Sequence, residues 1–274
     1  MKSKKTASEM RPSRSGAVKP KKALGQHFLT DEDVAARIAA TLDVCPSLPV
    51  LEVGPGMGVL TKYLISAGRD VKVAEIDGES IEYLRYNYPE LAGRILDADF
   101  LKLDLNGIFP SAPEIAVIGN YPYNISSQIF FHVLDYRDRV TVCSGMLQKE
   151  VAERLAAPPG TKARGILSVL LQAWYDVEYL FTVDEHVFNP PPKVKSGVII
   201  MKRNAVTSLG CDERLFKTVV KTAFGQRRKT LRNSLRGLFP PDMPVPDSPL
   251  MAMRPEQLSV EQFIELTLML KPQA

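Results

Sequence analysis

Between residues 31 and 202 the chain alternates short apolar runs with stretches whose apolar side chains recur every three or four positions. The runs at 50–53, 70–76, 94–98, 115–119 and 140–147 have the length and the Val, Ile and Leu content of buried strands. Helical spacing marks 31–42, 59–67, 78–87, 125–134, 149–156 and 166–175. In the first of these Val34, Ala35, Ile38, Ala39 and Leu42 fall on one face. Segments 177–183 and 195–202 predict two closing strands. Such alternation builds an α/β fold with a doubly wound, mostly parallel sheet over 21–203. After residue 203 the pattern changes. Helices are predicted at 213–224, 227–235 and 260–270, around a connector holding Pro240, Pro241, Pro244, Pro246 and Pro249. Residues 204–274 therefore read as a small all-helical domain. Residues 1–20 mix Lys, Arg, Ser, Pro and Gly with few apolar residues and are expected to form a disordered basic tail.

Charge sharpens this division. Residues 1–22 hold eight Lys and Arg against one acid, and residues 203–274 hold eleven against seven, whereas the chain as a whole is only +4. Two basic ends flanking an acidic middle suit a polyanionic partner. Hydrophobic residues make up 45% of the chain, and no apolar run approaches the roughly 18 residues of a membrane helix. The basic amino terminus has no apolar stretch of the kind found in secretory signals. Cys45, Cys143 and Cys211 form no CxxC pair, and His27, His132 and His186 are scattered. A reduced, cytoplasmic protein with no metal site and no membrane contact is expected.

Asn120-Tyr121-Pro122-Tyr123 follows the fourth strand directly. Ligands of open α/β sheets bind at the carboxyl ends of strands. An amide oxygen and a nearby backbone carbonyl accept the two N–H bonds of an exocyclic amine, Pro122 stiffens the turn, and Tyr123 offers a face for stacking. The same four residues equally suit a strand-to-helix turn around a buried tyrosine. Upstream, Glu52-x-Gly54-x-Gly56-x-Gly58 separates the first strand from its helix. A dinucleotide turn reads GxGxxG. Here the third glycine comes one residue early and a Glu precedes the first, which suits a cofactor without phosphate, such as S-adenosylmethionine. Glu75 ends the second strand, where a carboxylate accepts both ribose hydroxyls. Asp99 follows the third strand, where it accepts from an adenine amine. Asp77 and Asp97 compete for these roles, and each acid alone also suits a helix cap or solvated turn.

Six motifs then carry a resemblance. They are Lys22-Ala23-Leu24-Gly25-Gln26-His27-Phe28-Leu29, the glycine turn at 52–58, Glu75-Ile76-Asp77, and Asn120-Tyr121-Pro122-Tyr123-Asn124-Ile125-Ser126. Phe188-Asn189-Pro190-Pro191-Pro192-Lys193-Val194 and Phe224-Gly225-Gln226-Arg227-Arg228-Lys229-Thr230-Leu231-Arg232 complete the set. In this order, over about residues 20–270, the chain resembles the rRNA adenine N6,N6-dimethyltransferases of the KsgA/RsmA type. The resemblance implies a Rossmann-like S-adenosylmethionine methyltransferase sheet with a small helical domain. It implies transfer of four methyl groups to two adjacent adenines in a hairpin loop near the 3′ end of small-subunit (16S) rRNA, with S-adenosylhomocysteine as product and a role in small-subunit biogenesis.

Cofactor contacts are implied at His27, Leu29, Gly54, Glu75, Asp99 and Asn120. Asn120 and the carbonyl of Tyr121 would orient the amine, Tyr123 would stack on the base, and Phe188 would close its other face; core packing is the alternative for Phe188. RNA contacts are implied at Arg227, Arg228, Lys229 and Arg232, amid Lys217, Lys221 and Arg236. Arg228 and Arg232 are expected to share a helix face, as are Lys217 and Lys221. The chain departs from the family at two positions. His27 stands where Asn is frequent and is expected still to donate one hydrogen bond to the cofactor. Tyr121 stands where Leu is more common, leaving the shape of the base pocket open. A monomer is expected. Two other readings are a large-subunit rRNA methyltransferase of the macrolide-resistance type, which the 224–232 motif disfavours, and a non-catalytic ribosome-assembly factor.

Overall fold

The computed structural model describes residues 18–21, 24–240 and 244–270. Most of the expected basic tail, and Lys22 and Ala23 of the first motif, lie outside these residues. The strands are β1 (Phe28–Leu29), β2 (Val50–Val53), β3 (Val71–Glu75), β4 (Ile95–Asp97), β5 (Ile115–Asn120), β6 (Val140–Gln148), β7 (Tyr175–Val183), β8 (Phe188–Asn189) and β9 (Ser196–Arg203). The α-helices are α1 (Glu32–Ala40), α2 (Thr61–Ser66), α3 (Gly78–Asn87), α4 (Ser126–Asp135), α5 (Lys149–Ala156), α6 (Ile166–Gln172), α7 (Glu213–Gly225), α8 (Leu231–Ser234) and α9 (Val260–Met269).

Seven strands form one sheet in the order β4-β3-β2-β5-β6-β9-β7. β2 to β6 pair in parallel, and β9 runs antiparallel to both β6 and β7. Strand order reverses between β2 and β5, so the crevice at their carboxyl ends is the topological switch point where ligands bind. Alternate residues feed two apolar layers, as the strand period of two requires. Leu51, Val53, Val117 and Phe130 belong to one layer, and Val50, Val73, Ile118, Ile38 and Leu64 to the other. Both faces are covered, which explains why the central strands are continuously apolar.

The carboxyl-terminal helices share the first layer. Phe216, Val220 and Phe263 lie in the same apolar cluster as Leu170 and Trp174. α7 starts on an Asp212 cap to the Leu215 amide (2.8 Å), and α9 starts on a reciprocal Ser259–Gln262 capping box. Arg164 ties this region to the sheet domain. It is fully buried and donates to the carbonyls of Leu258 (3.1 Å) and Ala157 (2.7 Å) and to Gln172 Oε1 (2.6 Å). Burial lowers its pKa to about 10.

Two predicted elements change and one is new. The helix expected over 227–235 shrinks to α8, because the chain turns at Gln226–Lys229 (2.8 Å) and Thr230 is extended (φ −68°, ψ 158°). Arg228 and Arg232 consequently do not share a helix face; Lys217 and Lys221 do, on α7. The helix expected over 166–175 stops at Gln172, since Tyr175 starts β7 and donates its hydroxyl to the Val140 carbonyl (2.7 Å). A second, two-stranded sheet has no counterpart in the sequence pattern: β1 pairs antiparallel with β8, matching Leu29 to Phe188.

Candidate active site

The strand ends at the switch point open into a cleft of about 450 Å³. His27, Leu29, Gly54, Glu75, Asp99, Asn120 and Tyr123 all contribute to its wall; Phe188 does not. Phe188 is 4% exposed and packs in the apolar layer with Leu29. The side chain therefore packs beside Leu29 and stands off the cleft wall.

The β2–α2 turn forms one side. Gly54 has φ +64°, and a Cβ there would enter open space. This backbone therefore borders the cleft bare, as a close-fitting ligand requires. The early third glycine has a different cause. A Cβ on Gly58 would stand 2.6 Å from the Tyr88 ring, whose hydroxyl donates to the Gly58 carbonyl (3.1 Å). Tyr88, not a phosphate, occupies the space that this glycine leaves.

The structure also separates the competing acids. Glu75 Oε1 accepts from the amides of Ile76 and Asp77 (2.9 Å each), and Oε2 from Gly56 (3.1 Å). Burial raises its pKa, and these three bonds oppose the rise. With three of about four acceptor positions filled, only Oε2 keeps a free one. Glu75 thus has room for one ribose hydroxyl rather than two. Asp77 lies off the cleft wall and is taken up by the Lys21 ammonium, Ser80 (2.9 Å) and Gln26 (3.5 Å). Burial would raise its pKa, but those bonds outweigh it and lower it. Asp97 is exposed and also off the wall. Asp99 is on the wall; its Oδ1 caps Leu101 (3.1 Å) and its Oδ2 faces Lys102 Nζ at 3.5 Å. Ile76, 55% exposed on the same wall, offers an apolar surface beside Glu75. A bare glycine turn, a carboxylate with one free acceptor and an exposed apolar side chain together fit the nucleoside of S-adenosylmethionine.

The amino-terminal segment straps the opposite side. Lys21 and Gln26 hold it to Asp77, and β1 holds it to β8. Asn120 Nδ2 donates to the His27 carbonyl at 3.0 Å. His27 Nδ1 lies 2.8 Å from the Pro190 carbonyl, which only accepts, so Nδ1 carries the proton. In the neutral ring Nε2 is then an acceptor, and the backbone N–H of His27 is its donor to a ligand.

The 120–123 turn meets the strap from β5. Because Asn120 Nδ2 is committed to His27, Oδ1 is the amide atom left to accept. Tyr123 stacks on the His27 ring (centroids 5.5 Å apart, 27° between planes), and its hydroxyl lies 2.5 Å from Ser196 Oγ. Burial raises the Tyr123 phenol pKa against the opposing Ser196 bond, so it stays protonated and serves as a surface, not a base. Ser196 carries no signal in the sequence, since a lone serine opening a strand has no distinguishing pattern.

Tyr121 turns away. It is 1% exposed, donates its hydroxyl to the Ser144 carbonyl (2.7 Å) and meets Phe130 edge-on (5.4 Å). Gly119 and Gly145, paired across β5 and β6, make room for its ring: a Cβ on Gly145 would stand 2.6 Å from it. The Tyr121 side chain therefore braces the turn from the core, and the residue also lines the cleft.

Of the four basic residues at the carboxyl-terminal motif, Arg227 donates to the Lys162 carbonyl and lies 3.7 Å from Glu256. Arg232 is 3.9 Å from Asp247. Arg228 and Lys229 are exposed and make no ion pair among the described residues.

A family model described as ribosomal RNA adenine dimethylase matches residues 17–271. Ribosomal RNA small subunit methyltransferase A of Parabacteroides distasonis is 68% identical over 251 residues, covering 92% of this chain and 94% of that protein. A dimethyladenosine transferase from Plasmodium falciparum shares the fold, with a TM-score of 0.71 at 22% identity over 89% of this chain and 97% of its own. The 23S rRNA methyltransferase ErmE has a TM-score of 0.65 at 28% identity, covering 87% and 98%. A family match over nearly the whole chain and a relative at 68% identity show that the chain belongs to the ribosomal RNA adenine dimethylase family, S-adenosylmethionine-dependent enzymes that methylate adenine in rRNA.

Proposed function

We propose that this cleft holds S-adenosylmethionine and that the enzyme dimethylates N6 of two adjacent adenines in a hairpin loop near the 3′ end of small-subunit rRNA. The orientation of the Asn120 amide carries the reading, because it leaves an acceptor where an exocyclic amine needs one. Gly54, Glu75 Oε2 and Asp99 would hold the nucleoside, with Leu29 and His27 on the strap side. Bound there, S-adenosylmethionine supplies a sulfonium methyl and departs as the neutral thioether S-adenosylhomocysteine.

An adenine amine is a weak nucleophile because its lone pair is delocalised into the ring. Asn120 Oδ1 and the Tyr121 carbonyl would accept its two N–H bonds and favour a pyramidal nitrogen. Tyr123 would stack on the extruded base. The leaving group is neutral, so positioning and exclusion of water supply most of the rate, and no role falls to a metal. After one transfer a single N–H remains, and one of the two acceptors orients the second.

Arg228 and Lys229 would contact phosphates, while Arg227 would also fix the local backbone through Lys162. The reading includes a monomer that works in the cytoplasm, where ribosomal particles are. The 68% likeness to a small-subunit enzyme, against 28% to ErmE, favours the small subunit. Incubation with labelled S-adenosylmethionine and separately prepared unmethylated small and large subunits tests this. Label on the small-subunit rRNA is expected; label confined to the large subunit would contradict it.

A further inference from the structure

Glu52 is a buried acid in the cleft wall with no evident structural task. It is the third residue of β2, opposite Val73 of β3 and Ile118 of β5, and is 1% exposed. One donor reaches it: the Thr61 hydroxyl of α2, at 2.6 Å from Oε2. Oε1 has no hydrogen-bond partner and neither oxygen has a cationic partner among the described residues. The other ionisable groups that face it are Glu75, from β3, and the Tyr88 phenol, just after α3, which burial pushes up to about 12 and keeps neutral.

An ionised carboxylate buried without a positive partner is costly. Glu52 avoids that cost by keeping its proton: burial, only partly opposed by Thr61, pushes it up to about 8. The fold makes no use of its charge, since a neutral amide would accept the Thr61 bond equally well. A cation entering the cleft would use it.

The inference rests on the reading that S-adenosylmethionine occupies this cleft. Cofactor and product share adenine, ribose, ammonium and carboxylate; they differ in a methyl group and in the positive charge at sulfur. We propose that Glu52 is a specificity-determining residue that makes the cleft prefer the sulfonium cofactor to the thioether product, by releasing its proton to solvent when the cation enters. The carboxylate and the sulfonium then neutralise each other. Each methyl transfer frees one proton from the amine, and Glu52 takes up one as the sulfur becomes neutral. The charge balance closes, and the cleft loses its preference for what it now holds.

Calorimetric titration of the whole protein with S-adenosylmethionine and with S-adenosylhomocysteine, in buffers of different ionisation enthalpy near neutral pH, counts protons released on binding. Close to one more proton is expected for the cofactor than for the product. The cofactor-to-product affinity ratio should rise by up to about tenfold per pH unit below about pH 8 and level off above it. In Glu52→Gln the extra proton should vanish and the ratio should fall by roughly tenfold or more. Equal proton release for the two ligands in the native protein would overturn the proposal, whether or not the variant folds. So would a variant that keeps the extra proton. Binding of neither ligand would instead overturn the assignment of the cleft, and the proposal with it.

Discussion

Asn120 Nδ2 and the backbone carbonyl of His27 are hydrogen-bonded at 3.0 Å, across 93 residues of chain. This bond joins the amino-terminal strap to the 120–123 turn. It also decides which end of the amide faces the cleft, since a carbonyl accepts only from the nitrogen end. The bond therefore couples the strap to the orientation of the acceptor, and changes in the strap should reach the chemistry.

Lys21 holds the strap to buried Asp77, two residues from Glu75. Lys21→Ala should release bound S-adenosylmethionine several-fold faster and should also lower unfolding stability, because it leaves the buried Asp77 carboxylate without its cation. Rapid-mixing displacement reads the rate. An unchanged rate would remove the strap from cofactor retention.

Tyr121 braces the turn through Ser144 and fills the space above Gly119 and Gly145. Tyr121→Phe should cost about 1 kcal/mol, the usual worth of one buried hydrogen bond. Gly145→Ala should cost considerably more, because its Cβ would overlap both the Tyr121 ring and the Gly119 carbonyl. Urea unfolding measures both. Cofactor affinity of Tyr121→Phe should stay within about twofold of native, since the side chain lies below the cleft.

Much of this arrangement is legible in the chain. The strands from 50 to 147 are apolar runs between turn residues, and a buried parallel sheet leaves that signature whatever packs on it. Glycine, amide and carboxylate positions at strand ends are likewise readable, because switch-point geometry gives them a common destination. What escapes depends on interactions without local pattern. β1 and β8 are two residues each, too short for periodicity. The burial of Phe188 follows from that pairing. The choice of Glu75 over Asp77 follows from Lys21 and Gln26, more than fifty residues upstream of Asp77. The loss of helix at 227–230 reflects Thr230 beginning α8 in an extended conformation, which helical spacing of apolar residues does not reveal.

Glu52 also makes stability depend on pH. Its carboxyl titrates near 4.5 when unfolded and near 8 when folded. Between these values the native state holds a proton that the unfolded state has released. Stability is therefore full below the lower value and declines as pH rises to the upper one, at up to about 1.4 kcal/mol per pH unit. Glu52→Gln should flatten that part of the profile in denaturant titrations from about pH 5 to 8. A native profile that rises throughout this window, unaltered by the substitution, would contradict the assigned proton.

Arg228 and Lys229 are the exposed cations of the carboxyl-terminal motif that make no ion pair among the described residues. Replacing both by Ala should weaken rRNA binding and reduce the slope of log affinity against log salt by about 2, one for each phosphate left without its cation. Cofactor affinity should not move. Filter binding over a salt series is sufficient, and an unchanged slope would place the phosphate-binding cations elsewhere.

Asn120 should present its oxygen to the adenine amine. Mass analysis of small-subunit rRNA after reaction, alongside cofactor titration, tests it in one comparison of native protein and Asn120→Ala. The native enzyme should yield two methyl groups on each of two adjacent adenines. The variant should still bind S-adenosylmethionine, at most several-fold more weakly through the loosened strap, yet turn over at least about 100-fold more slowly, the scale set by removing a group that positions the reacting atom. A variant that folds, binds cofactor and still dimethylates both adenines at the native rate would contradict the account.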